Sequence, residues 1–295
     1  MGIIFKCKKK TKDELMLANN KNYCRLKMTD QLQGGFTLIE LITVIVILSI
    51  LTVIGSGFMI KTAEGYQQTV NRSLLIQRGR QTIERLTREL RNAVPNSIRV
   101  SANNLCIEWL PTVGGGNYMG VLPDQSNGAP ATSLINTSPI TFSGGNASYV
   151  IVGALNSTEV YSSTPSSLEL FSSINTGSIP NQITLSNAKI FERNSINQRV
   201  FIAIEPNQAC INGDELLIYD SYTTSGSYPS QSALTGSPPG AGVLVSAGVT
   251  VSGETPFSIT SGVESRNTIV VLNIPFSKGG ERIVLRHQVM VRNVP

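Results

Sequence analysis

The residues with the clearest capacity for chemistry lie near the start of the chain, in Gly34-Gly35-Phe36-Thr37-Leu38-Ile39-Glu40. Glu40 is the one charged residue between Phe36 and Met59. A carboxylate inside an apolar run is costly, which makes Glu40 a functional candidate. Phe36 and Glu40 are four residues apart, so on a helix they share one face. A plainer reading is also open: Glu40 lies only about 6 Å along a helix from Phe36, and its side chain can snorkel to the interface of a simple membrane anchor. The element that positions both residues is the apolar run itself. It is long enough to cross a bilayer, which needs roughly 20 apolar residues, and longer than the about 7–15 apolar residues of a secretory signal peptide.

This stretch resembles the processing site of type IV prepilins and of their relatives, the pseudopilins of type II secretion. The resemblance implies cleavage by a prepilin peptidase after Gly35, N-methylation of Phe36 as the new N-terminus, and an assembly role for Glu40. In that role Glu40 of an incoming subunit pairs with the Phe36 amine of a neighbour. A glycine pair before the helix suits such a cut, because it leaves a flexible peptide without side chains at the membrane face.

Residues 1–35 accordingly read as a cleaved cytoplasmic leader. They hold Lys6, Lys8, Lys9, Lys10, Lys12, Lys21, Arg25 and Lys27 against Asp13, Glu14 and Asp30, a net charge equal to the +5 of the whole chain. The remainder is therefore neutral, and the basic isoelectric point is no argument for nucleic-acid binding. The leader charges orient the chain with its N-terminus cytoplasmic and its body exported across the inner membrane. Met16 and Met28 are alternative starts; Met28 would leave no basic residue before the cut.

The expected fold class is α+β and pilin-like, with a long N-terminal α-helix followed by a β-rich periplasmic domain, an antiparallel sheet or sandwich. Residues 36–60 form the transmembrane and assembly half of the helix and 61–95 its amphipathic half. In the latter, Tyr66, Val70 and Leu74, then Ile83, Leu86 and Leu90, recur at helical spacing. Arg78, Arg85, Arg88 and Arg91 fall between them, as a solvated face or as a surface for acidic patches of neighbouring subunits, and Glu84–Arg88 and Arg85–Glu89 are spaced for ion pairs. Gly55, Gly57, Gly65 and Gly79 weaken the helix, each by about 1 kcal/mol relative to alanine, and Pro95 is a stop. Residues 96–295 form the globular domain, large enough for one substantial core.

Short apolar runs separated by turn residues predict strands at 105–110, 140–142, 149–152, 168–171, 182–185, 200–204, 216–219, 243–251, 268–274 and 282–292. Gly114-Gly115-Gly116 and Ser221–Gly242 read as loops. With the leader's Cys7 and Cys24 set aside, Cys106 and Cys210 remain. In an oxidising compartment they form one disulfide; the alternative is two unpaired buried thiols.

No nucleophile elbow, phosphate-binding glycine loop or paired C-x-x-C occurs. His287, the single histidine, alternates with Leu285, Val289 and Val291 and reads as structural. Asn212-Gly213-Asp214-Glu215 reads as a turn rather than a calcium loop. No catalytic residue, cofactor or metal site is expected.

A narrower resemblance rests on Arg80–Ser97, on Cys106-Ile107-Glu108-Trp109-Leu110-Pro111 and on the ending Val291-Arg292-Asn293-Val294-Pro295. These are similar to minor pilins of the mannose-sensitive haemagglutinin (MSHA) pilus. The resemblance implies a structural and assembly subunit rather than an enzyme. Its partners would be the prepilin peptidase, other major and minor pilins, the inner-membrane assembly platform and the membrane, with no nucleic acid. Its destination would be the pilus at the cell surface. A type II pseudopilin, a tip adhesin binding through loops such as Ser221–Gly242, and a membrane-anchored periplasmic enzyme are the alternatives.

Overall fold

The computed structural model describes residues 35–142, 145–162, 166–220, 228–229, 234, 241–262 and 267–292. Two compact units divide the chain, residues 1–61 and 62–295. The fold is the expected one: a long helix, α1 (Leu38–Arg91), whose first part is apolar, precedes a β-rich body of antiparallel sheets.

In the first unit the apolar side chains from Phe36 to Ile60 are exposed. The hydroxyl groups interspersed among them satisfy themselves locally. Thr43 and Ser56 donate to carbonyls three residues back, Ser49 and Thr52 to carbonyls four back, at 2.7–2.9 Å. A polar side chain that bonds its own backbone is compatible with apolar surroundings. α1 continues through Gly55 and Gly57, and through Gly65 and Gly79 in the second unit.

In the second unit α1 ends by tightening. Asn92 N and Ala93 N donate to carbonyls three residues back, at 3.1 and 3.2 Å. The chain then enters β1 (Arg99–Val100), β2 (Cys106–Trp109), β3 (Thr112–Asn117), β4 (Thr132–Thr137), β5 (Thr141–Phe142) and β6 (Tyr149–Val152), followed by a short helix, α2 (Ser157–Tyr161). Next come β7 (Leu168–Asn175), β8 (Asn181–Lys189), β9 (Arg199–Ala203), β10 (Asn207–Asn212), β11 (Glu215–Tyr219) and β12 (Val243–Ala247), then β13 (Phe257–Thr260), β14 (Thr268–Lys278) and β15 (Glu281–Val291).

Among the described residues these strands form three sheets, ordered β1-β2-β10-β11-β12, β13-β14-β15 and β4-β8-β7-β6-β9-β3-β5. The third curls until its ends meet. Tyr118, just past β3, bridges Thr137 at the end of β4. Met119 N donates to Asn136 O at 2.7 Å and Ser138 N to Asn117 O at 2.9 Å. Closure removes exposed strand edges.

Rather than one core, the interior has several clusters. The largest joins Leu75, Leu86 and Leu90 of α1 to the first two sheets, including Ile107, Trp109, Ile218 and Phe276. A second fills the curled sheet, with Val150, Val152 and Ile183. A third lies on the opposite face of β6, where Tyr149 and Ile151 pack with Val160 and Tyr161 of α2. Burial on both faces explains why Tyr149–Val152 is continuously apolar rather than alternating.

The helical face differs from the expected one. Tyr66 and Val70 are exposed, whereas Asn71, Leu75, Gly79, Thr82, Leu86, Thr87 and Leu90 are buried. Leu75, Leu86 and Leu90 supply the apolar contacts of this face, and the absence of a side chain at Gly79 lets Leu285 and Phe276 of the β14–β15 hairpin approach. Among the described residues neither Glu84–Arg88 nor Arg85–Glu89 closes to an ion pair.

Gly114–Gly116 is not a loop but part of β3, hydrogen-bonded between β5 and β9. A Cβ at Gly116 would stand 2.8 Å from Ile140 Cγ1, and one at Gly115 3.1 Å from Val200 O. Glycine here marks close approach within a strand. The strands β1, β4, β10 and β13 and the helix α2 were not among the sequence expectations. α2 had a legible signal: Asn156 Oδ1 accepts from Glu159 N at 3.0 Å while Asn156 Nδ2 donates to Glu159 Oε1 at 2.9 Å, an N-terminal cap.

Candidate functional site

Gly35 and Phe36 precede α1 outside any regular element, and both are exposed. The helix is started by the Thr37 carbonyl, which accepts from Glu40 N at 3.1 Å and Leu41 N at 3.3 Å. Glu40 therefore sits in the first turn, where a negative side chain complements the unpaired N–H groups and positive end of the helix. Its side chain is exposed. Nothing within 4 Å would meet a Cβ at Gly35. Gly34 and the leader, with Cys7 and Cys24, lie outside the described residues.

The geometry thus presents an accessible Gly35–Phe36 peptide immediately before an apolar helix that carries one carboxylate in its first turn. α1 is long and apolar enough to cross a membrane.

In the second unit Cys106 and Cys210 are joined by a disulfide, their Cα atoms 4.2 Å apart at directly paired positions of β2 and β10. Both are fully buried. Asn212–Glu215 is the turn that joins β10 to β11. His287 stands on β15 opposite Leu272 on β14, half-buried on the same face as Leu285 and Val289. Among the described residues, no three His, Cys, Asp or Glu side chains gather into a metal-binding group.

The buried carboxylates Glu108, Glu159 and Asp124 each have partners. Glu108 on β2 is held by Arg99 on β1, whose guanidinium also lies 3.8 Å over the ring of Tyr161. Burial pushes the Glu108 carboxyl up, opposed by its bond to Arg99. Glu159 of α2 pairs with Arg193 and accepts from Leu155 N. Asp124 closes a turn: Oδ1 accepts from Ser126 Oγ at 2.7 Å and from the Ser126 and Asn127 amides at 2.9 Å, and Oδ2 from Asn194. The Ser126 hydroxyl and then the Asn194 amide hold its carboxyl well below the usual carboxylate range. Each group is explained by its partners as a tie between loops and strands.

A feature the sequence did not reveal is a groove between α1 and β12, lined by Arg78, Gln81 and Arg85 on one side and by residues 244–247 on the other.

Residues 31–56 match the prokaryotic N-terminal methylation motif. It is the motif of type IV prepilin-like proteins, and the matched stretch spans Gly35, Phe36 and Glu40. No curated protein and no solved structure matches the chain.

Proposed function

We propose that this chain is a minor type IV pilin, a structural and assembly subunit similar to MshO of the MSHA pilus. The precursor resides in the inner membrane through the apolar part of α1, with its leader cytoplasmic and its β-rich body periplasmic. Prepilin peptidase removes the leader after Gly35 and Phe36 is methylated. The apolar helix then joins those of other pilins on the assembly platform, and Glu40 neutralises the terminal amine of a neighbour. The observation that carries this reading is the methylation motif joined to a membrane-length helix with one carboxylate in its first turn.

A minor rather than major role is favoured by bulk: about 200 residues follow the helix, and a major subunit would pack thousands of such bodies around the fibre core. The Ser221–Gly242 loop, on which an adhesive role would rest, lies mostly outside the described residues.

Intact mass of the membrane-extracted protein, expressed with and without prepilin peptidase, tests the reading. A species beginning at methylated Phe36, seen only with the peptidase, is expected. One uncut species in both strains would reduce the helix to a plain anchor. Loss of pili on deletion, with secretion unaffected, separates a pilin from a type II pseudopilin.

A further inference from the structure

We propose that the groove between α1 and β12 docks an extended, acidic segment of another polypeptide, which adds to the free edge of β12. Two independent features of the second unit define that occupant.

The first is an unpaired backbone. β12 bonds to β11 on one side, and among the described residues no strand pairs with its other side. Such an edge offers N–H and C=O groups to an incoming strand. Edge strands of soluble proteins are commonly guarded by lysine, proline or a bulge. Val243–Ala247 has neither a charge nor a proline; its one irregularity lies on the side paired with β11, and Val243 and Leu244 are about half exposed.

The second is charge. The facing wall is α1, which presents Arg78, Gln81 and Arg85 to the groove. Neither arginine makes an ion pair among the described residues, and Arg88 continues the stripe one turn further on. The seven-residue spacing of Arg78 and Arg85 sets them about 10 Å apart along the helix. Alternate residues of a strand repeat about every 6.7 Å on one face, so carboxylates two to four residues apart on an extended segment meet both guanidinium groups. The groove has a volume of about 450 Å³, enough for several side chains. An open edge selects an extended chain, and the arginines select its charge. The inference does not depend on leader cleavage or on a pilus.

Binding to the full-length protein in detergent, followed by fluorescence anisotropy, tests it with a labelled short peptide that alternates glutamate with valine. Saturable binding that weakens with salt is expected, with at least about a tenfold loss for the double variant Arg78→Glu/Arg85→Glu and for a lysine-for-glutamate peptide. The milder Arg78→Gln/Arg85→Gln variant should lose affinity too, with an unchanged melting temperature. Of two peptides N-methylated on alternate amides, the one blocked on its pairing edge should fail while the other binds. Absent binding, indifference to the arginine changes, equal binding of both methylated peptides, or equally effective competition by inorganic phosphate would each overturn the proposal.

Discussion

Gly79 of α1 and Leu285 of β15 meet so closely that a Cβ on Gly79 would lie 2.2 Å from Leu285 Cδ1. Phe276 Cε2 of β14 would stand 3.0 Å from the same point. The glycine that weakens the helix in isolation is what admits the hairpin to its surface. Gly79→Ala gains about 1 kcal/mol in helix propensity but overpacks the contact, at about 1–3 kcal/mol. A net loss of stability is expected. In a double-mutant cycle Leu285→Ala should cost less beside Gly79→Ala than in the wild type; additive effects would show that Leu285 is not the obstacle.

The Cys106–Cys210 disulfide closes a separation of 104 residues between strands that already pair. Replacing both cysteines by alanine should lower stability by up to about 4–5 kcal/mol in the chain-entropy view. The midpoint of urea unfolding with and without reductant measures it. Reductant should shift the wild type and leave the double variant unmoved.

Asp124 gives a pH dependence of known sign. Its folded carboxyl titrates below its ordinary value of 3.8, so its contribution is present above that value and is lost as pH falls beneath it toward the lowered one. The difference in melting temperature between wild type and Asp124→Asn should be constant near neutrality and narrow below about pH 4. A difference that persists undiminished into strong acid would mean the ionised carboxylate is not what holds the turn.

At the N-terminus the proposed roles separate by step. Glu40→Ala should be processed and membrane-bound yet poorly assembled; normal piliation would remove its role in docking. Gly35→Ile should block leader removal, since a β-branched side chain would stand beside the proposed cut where Gly35 has none. An unchanged mature mass would contradict that.

The apolar segment, its single carboxylate and the β-rich body were legible in the sequence because each is written in local order. A membrane-length run needs no tertiary partner to be recognised, and most strands announce themselves by short apolar runs between turns. The pairing of Cys106 with Cys210 was legible by number, since the two cysteines that follow the apolar segment allow one internal bond. What the tertiary structure alone decided depends on who approaches whom. Gly114–Gly116 became a strand because Ile140, Phe142 and the β9 backbone come close where no side chain stands. The buried face of α1 runs through Leu75 and Gly79 rather than Tyr66 and Val70 because the β14–β15 hairpin packs against Gly79. The edge of β12 opposite Arg78 and Arg85, open among the described residues, exists because strand order and helix placement, both long-range contacts, leave those groups facing each other.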